Sequence, residues 1–422
     1  MAVSSGKRIS AWACFDFANS AFGTLVLTFI YNTYFTKAIA TDENVGTQQW
    51  GNTVALASII IALLSPMLGA AADAFGWKKR FMATSIAMAC LATAGLYFPV
   101  EGQTFLALFL FGLALVATEL SIVFNNAFLP EIAPKEVHGK VSGRAFALGY
   151  VGGLICLFIA LIGFVPDQGD PWFGLSRESG ANVRATNVLV AVWFAVFSIP
   201  ILTLVKEAKP PLHGESLATV VRLSFKRLND TFHHLRSYQQ LFWLLIARLF
   251  YNDGLVAIFS FGGIYATVEF GFTFQDLMIF GIVLNVCSGL GALVFSFVED
   301  KIGSRITILI TLYSLIGASA TALFIESKTA FWACAVVIGL FIGPNQSASR
   351  AFLSRLTPPE KANEFFGFFA FSGKATAFLG PVLYGQLTGI FDSQRVGMAS
   401  VPFLFLLGLA LMIWKVRPWK KP

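Results

Sequence analysis

Five ionisable side chains lie inside long apolar stretches of this 422-residue sequence: Asp16, Glu119, Arg248, Asp253 and Lys374. A charge in such surroundings is costly unless it has an opposite charge, a water-filled cavity or a bound solute beside it. Two cations and three carboxylates predict either a structural network of ion pairs or a site for a charged solute. In such a site a carboxylate would meet an ammonium group or a proton, and a cation would meet a carboxylate.

Amide side chains accompany these charges at spacings that share a helix face. The pairs are Asp16 with Asn19, Glu119 with Asn126, and Arg248 with Asn252. We predict that these residues, with Asp253 and Lys374, line one site between helices. Lys374 is the candidate contact for a solute anion, because a lysine in a membrane needs a carboxylate or water. Glu119 lies deep in its stretch and is the candidate proton carrier unless a cation pairs with it.

Simpler interpretations of the same residues stay open. Asp16 lies within about two turns of the end of its predicted helix, where water would solvate it. Glu119 would also be satisfied by hydrogen bonds to neighbouring helices alone, without any part in binding. The site therefore depends on how the helices bring these residues together.

The elements that must hold these residues are membrane helices. The sequence is 56% hydrophobic and 13% charged, whereas a soluble domain carries about 25% charged residues. Runs of about 18 or more apolar residues predict membrane spans. Twelve runs qualify, at 12–36, 49–72, 81–99, 104–128, 141–165, 186–205, 240–267, 276–298, 306–325, 330–350, 365–390 and 399–415. The predicted fold class is an all-α membrane protein.

The net charge of +7 reflects topology and does not indicate a nucleic-acid partner. If both termini are cytoplasmic, five of the 30 Lys and Arg face outside and two, Arg248 and Lys374, lie within spans. The five are Lys37, Arg177, Arg184, Lys328 and Arg395. The other 23 fall at cytoplasmic ends or loops, which is the positive-inside bias. We therefore expect a multi-pass protein of a bacterial inner membrane with both termini in the cytoplasm.

A glycine- and charge-rich loop follows the second predicted span. The stretch 69–80 has the pattern G-x-x-x-D-x-x-G-x-[RK]-[KR], and a degraded copy runs over 296–305. The pattern resembles the loop 2–3 motif of the major facilitator superfamily. The matching positions are Gly69, Asp73, Gly76, Lys78 and Lys79 in the first copy, and Asp300, Gly303 and Arg305 in the second. The resemblance implies a gate at the cytoplasmic helix ends and leaves the substrate open.

The two loop aspartates are 227 residues apart, and a second internal repeat has nearly the same offset. Residues 128–136 align with 352–360 at an offset of 224. Direct repeats of this kind are typical of transporters whose halves are related by an axis along the membrane normal. We predict two six-helix bundles, 1–205 and 239–422. The linker 206–238 is predicted to contain an amphipathic helix at the cytoplasmic surface.

Three further stretches narrow the resemblance: Trp12 to Phe22, Phe250 to Gly254, and Gly343 to Arg350 with its continuation Glu364 to Pro381. Together they resemble the vacuolar amino-acid effluxer-like (autophagy-related) branch of the major facilitator superfamily, with its bacterial members. This resemblance implies twelve helices and a transport role. For the eukaryotic members it also implies amino acids as substrates.

The sequence thus predicts a secondary transporter and not an enzyme, since the four His all fall in predicted cytoplasmic segments. The five Cys stand singly, so neither a metal site nor a cofactor is expected. The expected partners are a small-molecule substrate, the lipid bilayer and coupling protons, and the expected state is a monomer. The favoured substrate is an amino acid or similar zwitterion. The alternatives are a carrier of a lipid-like or peptide-like amphiphile, and a non-transporting receptor or scaffold.

Overall fold

The computed structural model describes residues 5–166, 168–207, 222, 226 and 238–419, and none of these lies in a β-strand. Twelve long helices carry the fold. They are α1 Ser5–Ala21, α2 Glu43–Phe75, α3 Lys78–Gly95, α4 Thr104–Asn126, α5 His138–Ile159, α6 Ala181–Leu204, α7 Gln239–Phe270, α8 Phe274–Ile302, α9 Ser304–Phe324, α10 Lys328–Leu356, α11 Ala362–Lys374 continued by Leu379–Phe391, and α12 Ser400–Trp414. The predicted all-α class is confirmed.

Shorter helical pieces extend or connect the long helices. They are Phe22–Phe29, Tyr31–Tyr34 and Phe35–Ile39 after α1, Leu129–Ile132 and Lys135–Val137 between α4 and α5, Ala160–Phe164 and Trp172–Gly174 after α5, Pro359–Lys361 before α11, and Gln394–Met398 before α12. The pieces after α1 carry this helical region to Ile39, so it is long enough to cross a bilayer.

Within the described residues, eleven helical segments are long and apolar enough to span a membrane. The remaining long helix, α3, has 18 residues and begins with Lys78, Lys79 and Arg80. These cations lower its mean hydropathy, but they lie in its first turn, where a membrane helix meets the polar surface. The apolar run at 81–99 that predicted this span therefore corresponds to the remainder of α3.

Helix α11 differs from its prediction as one continuous span over 365–390. It stops at Lys374 and resumes at Leu379, with a turn between. Pro381 explains the break, because proline has no N–H for the carbonyl of residue 377 and its ring clashes there. In the structure Pro381 is the third residue of the second segment, where no intrahelical donor is required. The break places Lys374 at a helix end deep in the bundle.

The helices pack as two groups with separate cores. The first core contains Trp12, Phe111 and Phe124, and the second contains Tyr251 and Phe405. Helix α1 packs on α5 and α6, α3 on α4 and α6, α7 on α12, and α8 and α9 on α10. The groups meet where α2 packs on α11 and where α5 packs on α8 and α10. We call α1–α6 the first half and α7–α12 the second half.

Both described chain ends lie at one end of the bundle, because twelve successive helices alternate in direction. We call this end the termini side and the opposite end the far side. On the termini side, α2 and α11 come close enough that a Cβ on Gly69 would collide with the backbone of Asn363. Gly143 is pressed against Ser296 in the same way where α5 meets α8. Small residues permit such close contact between membrane helices.

The linker predicted at 206–238 is described only at Lys206, Glu207, Arg222, Lys226 and Tyr238. Arg222 and Lys226 are helical and exposed. The rest of the predicted amphipathic helix lies outside the described residues.

Candidate functional site

An ion pair between α4 and α11 joins the two halves within the bundle. The Lys374 Nζ lies 2.7 Å from Oε1 of Glu119. The two side chains are 27% and 25% exposed, so each keeps one edge open. The pair neutralises both charges, and it places an ammonium group and a carboxylate side by side at the break in α11.

Arg248 and Asn252 on α7 hold the first segment of α11 in place. Arg248 Nη1 donates to the carbonyl oxygen of Phe369 at 2.7 Å and to Oγ of Ser372 at 2.9 Å. Its guanidinium carbon lies 3.6 Å from the centre of the Phe369 ring. Asn252 Nδ2 donates to the carbonyl oxygen of Gly373 at 3.0 Å. Both side chains thus satisfy carbonyls at a helix end, and they position the lysine that follows.

Asp253, the next residue on α7, is fully buried. It lies under the turn that breaks α11: the Thr376 hydroxyl faces its carboxyl group, and Gly380 packs against its backbone carbonyl. The sequence predicted that Asp253 shares a site with Glu119 and Lys374. In the structure its carboxyl group is buried at the α11 turn and forms no ion pair among the described residues.

A second buried cluster joins α1 and α4 of the first half to α10 of the second. The Nη1 of Arg350 lies 2.8 Å from Oδ2 of Asp16 and 3.1 Å from Oδ1 of Asn126. Its Nε and Nη2 both donate to Ser142 on α5, at 2.9 Å to the hydroxyl and 2.9 Å to the carbonyl oxygen. The guanidinium is therefore held by three helices of the opposite half, in the bidentate and planar manner that arginine favours.

Aromatic rings close this cluster off from its surroundings. The guanidinium carbon of Arg350 lies 4.6 Å from the Trp12 ring centre and 4.3 Å from that of Phe146. Trp12 in turn donates its indole N–H to the carbonyl oxygen of Asn125 at 2.7 Å. Cation–π contacts of this kind strengthen when the charge is desolvated. The cluster is a buried contact between the halves.

The predicted single site is thus divided. Asp16 and Asn126 belong to the Arg350 cluster, whereas Glu119, Arg248, Asn252 and Lys374 gather around the α11 break. Asn19 donates to the carbonyl oxygen of Phe15 in its own helix at 3.0 Å, which joins it to neither group.

Arg350 was not among the predicted site residues, because it lies at the end of the predicted span 330–350 and was counted among the cytoplasmic cations. The internal repeat, with its offset of 224 residues, contained evidence that pointed to Arg350. It aligns Arg350 with Asn126, which the structure places in direct contact with it. Repeat-related positions near the pseudo-twofold axis tend to meet across it, so the alignment would have predicted the contact.

The two loop aspartates cap helices of the opposite half. Asp73 accepts hydrogen bonds from the backbone N–H groups of Asn363 and Glu364, at 3.2 and 2.8 Å, at the start of α11. It also accepts one from Nδ2 of Asn363 at 2.7 Å. A carboxylate at a helix N-terminus satisfies unpaired donors and complements the helix dipole.

Asp300 does the same for α5. It accepts from the backbone N–H groups of Gly139 and Lys140, at 2.9 and 3.1 Å. Arg355 Nη2 adds an ion pair at 2.5 Å. Since Gly139 aligns with Asn363 at the 224-residue offset, the two caps are related by the internal repeat. Both caps join the two halves on the termini side.

The remaining residues of the loop motif tie each half together internally. Gly76 and Gly303 have φ of +65° and +90°, which disfavours any side chain at these helix ends. Lys78 pairs with Glu131 and is buried. Lys79 donates to the carbonyl oxygen of Val205 at 2.8 Å, next to the end of α6. Arg305 Nε donates to the carbonyl oxygen of Val416 at 2.7 Å, next to the end of α12.

Similarity to known proteins shows the family of this chain. Residues 52–418 match the model of the family described as "Vacuole effluxer Atg22 like". The chain belongs to this family. The MFS-type transporter YxiO of Bacillus subtilis (strain 168) is 28% identical over 416 residues, which cover 96% of this chain and 94% of YxiO.

The fungal relatives match a smaller part of this chain. Autophagy-related protein 22 of Saccharomyces cerevisiae (strain S288c) is 25% identical over 300 residues, covering 63% of this chain and 54% of that protein. The chain spans about half the length of the fungal relatives that it matches. The predicted membership of the major facilitator superfamily and of this branch is confirmed.

Solved structures agree on the fold. The human organic anion transporter MFSD10 (TETRAN) has a TM-score of 0.73 at 12% identity, covering 97% of this chain and 99% of that one. The transporter FucP in its outward conformation has a TM-score of 0.71 at 12% identity, covering 97% and 98%. The family member described here is a multi-pass membrane transporter of the major facilitator type, and it is not an enzyme.

Proposed function

We propose that this transporter carries a small zwitterion, an amino acid or a close analogue, by alternating access. The observation that carries the proposal is the ion pair of Glu119 and Lys374, which joins the halves at 2.7 Å and keeps both side chains about a quarter exposed. A zwitterion presents the same two charges as this pair. Its carboxylate matches the Lys374 ammonium group, and its ammonium group matches the Glu119 carboxylate.

Such a substrate would exchange one ion pair for two, so the charges stay neutralised throughout binding. A solute with a single charge would free one of the two side chains without a partner, which costs free energy in a partly desolvated site. The site therefore favours solutes that carry both charges. Arg248 and Asn252 serve as positioning residues, because they fix the helix end that carries Lys374.

The movement that we propose is a rocking of residues 1–205 against residues 239–422, with 206–238 as the linker. Besides the pair of Glu119 and Lys374 within the bundle, hydrogen bonds between the halves lie on the termini side, at Asp73, Asp300 and Arg350. The structure therefore supports a state closed on that side. Opening the termini side requires these contacts to break, while opening the far side leaves them intact.

We further propose that the termini side is cytoplasmic and that the membrane is a bacterial inner membrane, on the basis of the cation distribution. Cysteine labelling tests the orientation in a variant without the five native cysteines. Gln168 is exposed on the far side and Lys301 on the termini side. A membrane-impermeant maleimide should label Gln168→Cys in intact cells and Lys301→Cys only after the membrane is opened. Labelling of both from the same side would contradict the proposed topology.

Ligand-induced thermal stabilisation tests the substrate class. We expect the detergent-purified protein to be stabilised by one or more of the twenty amino acids, because a ligand at about 100 times its Kd adds about 2.7 kcal/mol to the folded state. For each amino acid that stabilises, the amine without the carboxylate and the acid without the amine should have no effect. Glu119→Gln and Lys374→Met should abolish the shift.

The matched controls are Glu101→Gln and Lys7→Met, which remove the same charges from exposed positions. Both should respond as the wild type does. Stabilisation by lysophospholipids but by no amino acid would overturn the zwitterion proposal and favour an amphiphile. The phenylalanine-rich first segment of α11 gives the amphiphile alternative little support, since Phe365 and Phe366 are buried in the core of the second half.

A further inference from the structure

The carboxyl group of Asp253 is the one ionisable group near the α11 break that the proposed substrate site does not use. It is fully buried, and neither of its oxygens receives a hydrogen bond of ordinary geometry from the described residues. The Thr376 hydroxyl, in the turn between the two segments of α11, faces it. That hydroxyl also lacks an ordinary hydrogen bond.

The charged groups nearest to Asp253 make their direct hydrogen bonds and ion pairs with other residues. On its own helix, the Arg248 guanidinium is bound to Phe369 and Ser372. On α11, Lys374 is paired with Glu119. From α10, Ser349 meets the hydroxyl of Tyr251 at 2.7 Å, and from α12 the ring of Phe405 packs against Gly254.

An ionised carboxylate that forms no ion pair is one of the costliest groups to bury. A protonated carboxyl group removes that cost and gains an O–H donor. Glu119 differs, because it forms an ion pair with Lys374 at 2.7 Å. The sequence made Glu119 the proton carrier on the condition that no cation pairs with it, and the structure supplies that cation.

We propose that Asp253 is the proton-binding site of the transport cycle. In the state closed on the termini side, the turn of α11 seals its carboxyl group, which keeps its proton. When α11 moves and water reaches the group, the O–H bond breaks, the proton passes to water, and the carboxylate remains until it is reprotonated. One proton is exchanged in each cycle.

The geometry also explains how proton and substrate would be coupled, and this step rests on the function proposed above. Lys374 ends the first segment of α11, and the turn over Asp253 begins at the next residue. Substrate that draws Lys374 away from Glu119 would displace the same turn. The substrate and the proton therefore act on one movable element from its two sides.

The test uses the full-length protein in liposomes and an equimolar mixture of the twenty tritiated amino acids. Asp253→Asn mimics the protonated group in size and neutrality. We expect it to retain counterflow exchange within about twofold at equal pH, because that mode needs no net proton movement, and to lose at least tenfold of the accumulation driven by a pH gradient. Asp170→Asn, at an exposed position on the far side, should retain both.

Accumulation by Asp253→Asn at the wild-type level under a pH gradient would overturn the proposal. If the wild type transports none of the twenty amino acids, the proposed substrate class is wrong. The proton site is then tested by a measurement that needs no substrate. Infrared difference spectra of the wild type should contain the C=O stretch of a protonated carboxylic acid that is missing in Asp253→Asn. Absence of that band at neutral pH would reject the proton site by itself.

Discussion

Replacing Asp16 with asparagine should shift the protein by about a hundredfold or more toward a state open on the termini side. Removal of one partner from a buried ion pair costs about 3–5 kcal/mol, and each 1.4 kcal/mol is a factor of about ten. The cost applies only to the closed state, because Arg350 crosses between the halves there. In an open state water would solvate the same guanidinium.

Distances between spin labels measure this shift. Lys7 and Lys415 are exposed on the termini side of opposite halves, and Glu101 and Glu326 are exposed on the far side. With Asp16→Asn, the distance between labels at 7 and 415 should lengthen, and the distance between labels at 101 and 326 should shorten. Asp170→Asn should leave both distributions unchanged.

A second variant separates loss of the lock from loss of the fold. Asp16→Asn combined with Arg350→Met removes both buried charges, which restores much of the folding free energy when the shape is kept. The double variant should be folded and still favour opening, since the hydrogen bonds that Arg350 makes across the halves remain absent. If the distances in both variants match the wild type, the Asp16–Arg350 pair is not a lock.

Glu119→Gln and Lys374→Met should each raise the amino-acid concentration for half-maximal counterflow exchange by roughly 10- to 100-fold. Hydrogen bonds to charged groups contribute about 1.5–3 kcal/mol each, which corresponds to that range. Each substitution also leaves the opposite charge of the pair without its partner, at a position held by Arg248 and Asn252.

The two substitutions should be strongly non-additive, because they act on residues in direct contact. The double variant should be impaired little more than either single one. Glu101→Gln and Lys7→Met serve again as charge-matched controls and should exchange at the wild-type rate. Additive losses in the double variant would mean that the two residues act at separate steps.

The sequence predicted the scaffold well, because membrane spans follow from the length of apolar runs. All twelve predicted runs fall on long helices, and both copies of the loop motif lie at helix ends as the pattern implied. The residues that the two loop motifs contact could not be predicted from the sequence. That Asp73 would cap α11, 290 residues further along the chain, depends on the packing of the two halves, which periodicity within one helix does not contain.

The sequence named some of the residues that we propose for the site, but it did not contain their grouping. Charges inside apolar runs identified Glu119 and Lys374, but the sequence could not tell that they pair with each other or that Asp16 pairs with Arg350. The break in α11 was readable in principle from Pro381. It was overlooked because the residues on both sides of Lys374 are apolar and together are long enough for one continuous span. Helix ends inside a membrane are set by backbone chemistry as well as by hydropathy.

The most direct test of the central claim is a structure of the protein with the amino acid that stabilises it most. We predict that the substrate carboxylate lies within about 3 Å of Nζ of Lys374, at the distance of a charged hydrogen bond, with its ammonium group on Glu119. The contact between Nζ and Oε1, 2.7 Å here, should then be broken. An intact pair of Glu119 and Lys374, with the amino acid bound elsewhere, would contradict the account.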